Sequence, residues 1–215
     1  MSNLLRTNCA GAAHWISRFT LAKCLGGGSL LDVKFFLVLL AAAMLPAATV
    51  DLAGHTRDPF GAPAAARVFI FVRSDCPVTN RYAPELEHLF QEFSARSVEF
   101  WLVYPDPSET PATIKKHMLD YGFPGQPLRD PQHDLVKRAH ADTAPEAAVF
   151  DSKNDLVYHG RIDDLWASPG RARPMPTTHD LEDAIAAVVD GRAPRQAETR
   201  AVGCSLADVA PDPGK

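Results

Sequence analysis

Residues 67–79 read R-V-F-I-F-V-R-S-D-C-P-V-T and place Cys76 directly after an apolar stretch. The β-branched and aromatic residues of this stretch are typical of a buried strand. Because a helix-like segment follows, we expect Cys76 at a strand end and a helix N-terminus, where the helix dipole and free backbone N–H groups stabilise a thiolate. This position predicts thiol–disulfide chemistry. The second cysteine of a C-x-x-C pair is absent, since Thr79 stands in its place.

The composition is that of a globular protein with one domain and extensions. The chain has 215 residues, of which 46% are hydrophobic and 22% are charged, and these fractions are ordinary. The formal net charge is −4 and the chain has no long basic block. A nucleic acid is therefore not expected among its partners.

An apolar run near the N-terminus indicates export. Residues 35–45 read F-F-L-V-L-L-A-A-A-M-L, with Lys34 before them and small residues at 47–49. The run has the length of a signal-peptide core and is short for a membrane span. We expect a periplasmic or secreted protein in which residues 1–49 form an N-terminal extension with either a cleaved signal peptide or a membrane anchor. A translation start near Val33 and a genuine cytoplasmic extension are both compatible with this pattern.

Export changes the number of cysteines available to the folded domain. Cys9 and Cys24 precede the apolar run and would lie outside the exported part. Cys76 and Cys204 remain, which is an even pair in an oxidising compartment.

Hydrophobic periodicity together with turn and capping residues predicts alternating strands and helices. Residues 50–66 are predicted as a linker and residues 192–215 as a polar tail that carries Cys204. The predicted elements between them are a strand at 67–72, a helix at 82–95, a strand at 98–104, a helix at 111–121 capped by Thr110, an extended piece at 127–130, a helix that Asp130 caps and that runs to His140, a hairpin of strands 147–150 and 156–159, an irregular segment at 162–176, and a helix at 179–189 capped by Thr178. This order predicts an α/β fold with a mixed sheet.

Four stretches carry a resemblance to a known family: S-D-C-P-V-T-N-R-Y-A-P-E-L at 74–86, A-P-E at 144–146, Y-H-G-R-I-D-D at 158–164 and T-R-A-V-G-C at 199–204. Over residues 64–206 the chain resembles the thioredoxin-like superfamily, in its redoxin (AhpC/TSA-like) branch of exported bacterial type. The resemblance implies a thioredoxin-like domain at 67–191, with a mixed central sheet, helices on both faces and a C-terminal β-hairpin plus helix. It implies a thiol–disulfide oxidoreductase that acts on protein or small-molecule disulfides, uses an external thiol reductant and needs no organic cofactor.

The resemblance also implies catalytic residues. Cys76 would be the nucleophile, and a carboxylate at Asp75 would raise the pKa of its thiol if it pointed inward. Thr79 would either donate its hydroxyl to the Cys76 thiolate or simply pack in the helix. Cys204 would be a resolving cysteine on a mobile tail, one half of a static bridge to Cys76, or an unrelated thiol; pairing requires only that the Cα atoms approach within about 7 Å.

Three further residues are implied at the substrate-binding position. Pro145 would be preceded by a cis peptide bond, and Ala144 would face the nucleophile and offer its backbone to an extended substrate. Pro77 would open the helix beside them, as suits a first helical turn.

Two other functions stay open. A peroxiredoxin-like thiol peroxidase would require the pattern P-x-x-x-T-x-x-C, but Phe69 and Arg73 stand at the proline and threonine positions. Arg73 or Arg161 would then have to orient the peroxide. A non-catalytic redoxin-type binding domain is the third reading.

No metal site is predicted. Copper-delivery proteins of this fold carry C-x-x-x-C, and the residue four positions after Cys76 is Asn80. The histidines between 88 and 179 lack ligand spacing such as H-x-x-x-H and are expected on the surface or on helix faces. We expect Arg161, Asp163 and Asp164 to form a polar cluster that fixes the loop after the hairpin.

Overall fold

The computed structural model of the chain describes residues 49–209. The strands are β1 Thr49–Val50, β2 Thr56–Arg57, β3 Ala66–Phe71, β4 Val98–Tyr104, β5 Gln126–Arg129, β6 Thr143–Ala144, β7 Glu146–Asp151, β8 Leu156–Gly160, β9 Trp166–Ser168, β10 Arg171–Ala172 and β11 Cys204–Ser205. The α-helices are α1 Pro77–Arg81, α2 Ala83–Phe93, α3 Pro111–Tyr121, α4 Asp134–Ala139 and α5 Asp180–Val189, and two 3-10 turns lie at Ser94–Arg96 and Leu206–Asp208.

Seven strands form a mixed sheet in the order β2-β1-β5-β4-β3-β7-β8. Strands β3, β4 and β5 run parallel, while β7 is antiparallel to both β3 and β8. The parallel connections carry helices and the β7–β8 connection is a hairpin, as the order of elements predicted. The α/β fold with a thioredoxin-like arrangement is confirmed.

Alternation along β3 divides the core into two layers, because successive side chains of a strand point to opposite faces. One layer contains Val68 and Ile70 and packs against helices α2, α3 and α5. The other contains Phe69 and Phe71 and packs against helix α4 and Leu206 of the tail. Helices therefore cover both faces, and the tail contributes to the second layer.

Local capping signals place helix α3 where the sequence predicted it. The Thr110 side chain accepts a hydrogen bond from the backbone N–H of Thr113 at 3.1 Å, which satisfies a free donor of the first turn. Gly122 ends the helix with φ +69°, a left-handed conformation that glycine adopts without a steric cost.

Two helices begin later than predicted. The Asp130 carboxylate accepts hydrogen bonds from the backbone N–H groups of Asp134 and Val136, but the chain makes a further turn, with His133 at φ +57°, before helix α4 starts. The Thr178 hydroxyl donates to Asp180 instead of capping the backbone, so helix α5 begins at Asp180.

Segments expected to be irregular also take part in sheets. Residues 50–66 were predicted as a linker, but β1 and β2 extend the main sheet beyond β5, with Val50 opposite Arg129. Their strands are two residues long, which leaves too little periodicity to read from the sequence. Strands β9 and β10 form a small hairpin within the segment predicted as irregular.

The predicted signal or anchor segment, including Cys9, Cys24 and residues 35–45, lies outside the described residues. Within residues 49–209, no helix is both long and apolar enough to cross a membrane.

Candidate functional site

The Cys76 thiol lies where the sequence predicted it, after β3 and at the start of helix α1. Cys76 is the N-cap residue, and Pro77 occupies the first helical position. The Cys76 side chain has no exposed surface. Its Sγ donates a hydrogen bond to the backbone carbonyl of Ala144 at 3.1 Å, so the thiol faces the loop that the sequence assigned to substrate binding.

The two cysteines of the described chain meet at Ala144. The peptide bond between Ala144 and Pro145 is cis. In the antiparallel pair of β6 and β11, Cys204 lies opposite Ala144, and its side chain packs against the core layer that contains Cys76. Both cysteines are free thiols. The structure therefore brings together Cys76, Cys204 and Ala144, which are at least 60 positions apart along the chain.

The Cys204 thiol is strongly biased towards its protonated form. Burial, then hydrogen bonding to the Cys76 side chain and the charge of Cys76, raise the pKa of Cys204 to about 12, whereas the charge of Arg73 acts in the opposite direction. A thiol in this state is a hydrogen-bond donor and a poor nucleophile. Two of the three largest causes come from Cys76, so they depend on the chemical state of that residue.

Residues Gly203–Asp208, which we call the strap, are held against the site by polar contacts. Arg73 donates from Nη1 to the backbone carbonyl of Ser205 at 2.9 Å, and the same nitrogen lies 3.8 Å from the Asp208 carboxylate. The Arg73 guanidinium also binds both oxygens of Asp75. Asp75 is thereby turned outward to solvent, with 66% of its side chain exposed, and not inward as the sequence analysis considered.

Shape also fixes the strap. A Cβ atom at Gly203 would collide with the carbonyl oxygen of Ala144 and lie 3.1 Å from Cδ of Pro145, so the strap backbone reaches its place only with glycine at this position. Leu206 is 3% exposed within the second core layer, and its backbone N–H donates to the carbonyl of Asp142 at 2.8 Å. The tail, which is mobile in one of the three readings of Cys204, is docked over residues 203–208.

A buried carboxylate shapes the edge to which the strap binds. Oε2 of Glu146 accepts hydrogen bonds from the backbone N–H groups of Asp142 and Thr143, and Oε1 lies 3.5 Å from Nδ1 of His159. Burial raises the pKa of Glu146, and the two backbone hydrogen bonds partly counter this. Glu146 therefore holds β6 in the conformation that presents Ala144 to both thiols.

Two buried groups support the loop and helix on the Cys76 side. Glu109 accepts the backbone N–H of Ser74 at 2.7 Å, and burial raises the pKa of this carboxyl. Nε2 of His117 lies 2.7 Å from Oδ1 of Asn80, and Nδ1 lies 2.9 Å from the hydroxyl of Tyr104. His117 was expected on a surface or helix face, but it is buried, and burial lowers its pKa.

The Thr79 hydroxyl does not donate to the Cys76 sulfur, which was one of the two roles predicted for it. Its side chain is fully buried, and its hydroxyl has no hydrogen-bond partner among residues 49–209. The Cys76 thiol is instead engaged by Ala144. In the state described, Thr79 packs in helix α1.

The predicted cluster after the hairpin is spread over separate partners. Arg161 binds Asp180 on helix α5, and Asp163 accepts a hydrogen bond from the hydroxyl of Tyr82 at 2.6 Å. Asp164 accepts hydrogen bonds from Thr177 and Thr178 and pairs with Arg173. These residues fix the loop through other elements and not through one another.

One group within the described part of the chain has the ligand atoms to hold a metal ion. Glu85, His179 and Glu182 place one ligand atom each within 4.8 Å of one another. They lie at the start of helices α2 and α5, where His179 also pairs with Glu182 at 3.7 Å. Exposed groups of this kind are common without a metal.

Sequence reasoning missed the residues that hold the strap and the loops. Arg73 was considered only as a substitute in a peroxidase, and Gly203, Leu206, Glu109 and Glu146 were not singled out. The glycine directly before Cys204 was the one available signal, because glycine is required where two backbones approach closely.

Comparisons with known proteins agree with this architecture. Residues 60–159 match the model of the AhpC/TSA family. No match was found among curated proteins. Among solved structures, an uncharacterised conserved protein of Geobacillus kaustophilus has a TM-score of 0.67 and 24% identity, covering 80% of this chain and 91% of that chain. A hypothetical protein of Sinorhizobium meliloti has a TM-score of 0.63 and 23% identity, covering 75% and 91%.

At these identities the likeness to the two solved structures is one of fold. The matched family segment contains β3, Cys76 and Ala144, whereas Cys204 and the rest of the strap lie beyond its end at residue 159. Residues 60–159 are therefore similar to the redoxin, or AhpC/TSA, family, and they lie within a fold of thioredoxin-like type.

Proposed function

We propose that the protein is an exported thiol–disulfide oxidoreductase in which Cys76 is the nucleophile and Cys204 is the resolving cysteine. The observation that supports this most directly is the placement of both cysteines at Ala144, whose carbonyl accepts a hydrogen bond from Cys76 Sγ and whose partner across the strand pair is Cys204. Cys204 would therefore take the place of the second cysteine of a C-x-x-C pair as the partner thiol of Cys76.

The reaction proceeds by two thiol–disulfide exchanges. The Cys76 thiolate attacks one sulfur of the substrate disulfide, a Cys76–substrate bond forms, and the other substrate sulfur leaves as a thiol. Cys204 then attacks the Cys76 sulfur, which releases the second substrate thiol and leaves a Cys76–Cys204 disulfide. Two electrons pass from the protein to the substrate, and an external dithiol reductant returns them.

The electrostatics of Cys204 suit this order of events. While Cys76 is free, its hydrogen bonding and charge help to keep Cys204 protonated. Once Cys76 is held in a mixed disulfide, both of these influences vanish, although burial still raises the pKa of Cys204. The resolving thiol therefore becomes more nucleophilic after the substrate has been captured.

Export and partners belong to the same proposal. The apolar run at 35–45 supports a periplasmic or secreted location, with the run either removed or kept as a membrane anchor. The partners are then a disulfide-containing protein or small molecule and a thiol reductant. An oxidising compartment is also where a pair of cysteines has a disulfide state to cycle through.

The structure offers less support for a peroxidase. The two arginines that would have to orient a peroxide are already engaged by carboxylates, Arg73 by Asp75 and Arg161 by Asp180. Neither guanidinium is therefore available to a peroxide in this conformation.

The test is turnover of a model protein disulfide, such as insulin, with a dithiol reductant. Cys76→Ser should abolish turnover. Cys204→Ser should capture substrate but accumulate a mixed disulfide at Cys76, visible by mass spectrometry as protein plus one substrate chain. The matched pair of variants separates the two roles, because each retains one of the two thiols.

Two results would contradict the proposal. Turnover by Cys76→Ser at the wild-type rate would remove the catalytic reading and favour a binding domain. Unchanged turnover by Cys204→Ser, with no trapped intermediate, would leave Cys76 as nucleophile but remove Cys204 as its resolver.

A further inference from the structure

The strap occupies the backbone edge that an extended substrate would use. Cys204 lies opposite Ala144 and Ser205 opposite Thr143 in an antiparallel pair. Extended peptides commonly bind by adding a strand to a free edge of this kind. Because Cys76 has no exposed surface, a disulfide in such a peptide reaches its sulfur only after the strap has left this edge.

We propose that the strap and the substrate compete for the β6 edge, and that the substrate is an extended polypeptide segment whose cysteine directly follows a glycine. This inference rests on the proposed oxidoreductase function and adds to it the substrate class and the order of strap movements. The strap is then an internal copy of the substrate, with Gly203 and Cys204 in the positions of the substrate's own glycine and cysteine.

The glycine requirement follows from the close approach at Ala144. A side chain at position 203 would collide with the carbonyl oxygen of Ala144 and crowd Pro145. A substrate strand that enters in the same register meets the same backbone oxygen. Segments with a larger residue before their cysteine are therefore excluded from this register.

The strap is attached so that it can leave while the domain stays folded. Downstream of Cys204 it is held by the Arg73 hydrogen bond to Ser205 and by Leu206 in its pocket. Upstream, Thr199 is fixed to β8 by a backbone hydrogen bond to His159, and its hydroxyl accepts from the backbone N–H of Arg161. The segment beyond Thr199 can therefore swing away while the upstream anchor stays in place.

Competition gives the two chemical steps opposite dependence on the strap. Capture, in which the Cys76–substrate bond forms and the substrate disulfide breaks, requires the strap to be undocked. Resolution, in which the Cys76–Cys204 bond forms and the substrate thiol leaves, requires the strap to return. Weakening the docked strap should accelerate the first step and retard the second.

The experiment uses the full chain and a peptide with the sequence Gly-Cys, whose cysteine carries thionitrobenzoate as a mixed disulfide. Capture is followed by release of the coloured thiol, and resolution by the decay of the protein–peptide adduct in mass spectra. Leu206→Ala and Gly203→Ala should each speed capture and lengthen the adduct lifetime by about tenfold, the change expected when one or two hydrogen bonds or their equivalent are lost. Leu119→Ala, the same substitution as in the Leu206 variant but at an exposed position of helix α3, should leave both rates at the wild-type value.

A second peptide, in which Ala-Cys replaces Gly-Cys, tests the substrate class. The wild-type protein should capture it at least about tenfold more slowly, as expected for a buried steric clash. Equal capture of the two peptides would overturn the glycine requirement. The proposed competition between strap and substrate would be overturned if capture and resolution both became slower in the two strap variants, or if neither rate changed.

Failure of the underlying function has a different signature. If Cys76→Ser releases the coloured thiol as fast as the wild-type protein, with the peptide adduct then formed at Cys204, the oxidoreductase proposal with Cys76 as nucleophile is itself wrong. If capture depends on Cys76 but not on the strap, the oxidoreductase stands and the strap proposal is wrong. Far-ultraviolet circular dichroism of each variant shows whether the domain remains folded.

Discussion

Oxidation of Cys76 and Cys204 to a disulfide should stabilise the domain measurably. The cross-link would close a loop that runs from residue 76 to residue 204 and contains most of the domain. In the chain-entropy treatment, a loop of about 100 residues corresponds to about 4.7 kcal/mol, and strain in the folded state brings typical values to about 2–4 kcal/mol. Because both thiols already meet at Ala144 with the strap docked, little rearrangement is required to form the bond.

The assay is equilibrium unfolding in urea, or calorimetry, of the reduced protein and of protein oxidised with diamide. A gain of about 2–4 kcal/mol corresponds to a rise in Tm of about 4–16 °C for a chain of this size. By linkage, a gain of 4 kcal/mol also lowers the reduction potential of the disulfide in the folded protein by about 85 mV relative to the unfolded chain.

Cys204→Ser is the control, because the same oxidant should leave its stability unchanged. An oxidised wild-type protein that is no more stable than the reduced one would refute the reasoning. That result would mean that the bond forms only after the docked strap has been distorted, at a cost that cancels the entropic gain.

Three other changes probe contacts away from the thiols. Gly160→Ala should cost about 2 kcal/mol or more in unfolding free energy, since Gly160 has φ +139° and a Cβ there would strike the backbone of the tail; urea unfolding measures it. Arg67→Met should lower the free energy of unfolding by about 3 kcal/mol, as calorimetry would measure. The buried Arg67 side chain donates to the carbonyl of Pro59 and lies 3.5 Å from Glu99, and the Glu99 carboxylate would lose this partner. In Asp164→Asn, the loss of stability as pH falls from 3.8 towards about 2 should be smaller than in the wild-type protein, because hydrogen bonds lower the pKa of Asp164 to about 2 although burial acts to raise it.

The sign of the Asp164 effect follows from linkage. A carboxyl whose pKa is lower in the folded state contributes stability above its unfolded pKa and loses that contribution as pH falls through the folded value. A wild-type protein and an Asp164→Asn variant with the same pH dependence in this window would contradict the assignment. Neutral surface substitutions change the free energy of unfolding by up to about 0.5 kcal/mol. A change no larger than this in Gly160→Ala or Arg67→Met would contradict the reasoning for that residue.

Much of the fold was predictable because its signals are local. The Thr110 cap and Gly122 end point bound helix α3, and the nearly continuous apolar run of 98–104 gives strand β4 its full length. Helix α4 shows where local reading stops. Asp130 supplies the predicted capping carboxylate, but it reaches over an extra turn whose left-handed residue, His133, has no signature in the sequence.

The site was predictable in its parts but not in its assembly. Cys76 and Pro145 stand next to strands that the sequence identifies, and the fold then dictates that they face each other. The position of Cys204 depends on the fit of Gly203 against Ala144 and on the pocket for Leu206. Both are contacts between residues more than 50 positions apart, and neither residue type implies a partner by itself.

The replacement of the second helix cysteine by Thr79 alters what limits the chemistry. In a C-x-x-C pair, the resolving thiol lies one helical turn from the nucleophile and is always within reach. In the proposed mechanism the resolving thiol, Cys204, lies on a strap with its own anchors, Arg73 and Leu206, and resolution can be no faster than the return of the strap. Substitutions in the strap would then change the lifetime of the mixed disulfide without touching the nucleophile. They would also change the rate of capture in the opposite direction, a coupling that two thiols fixed on one helix do not have.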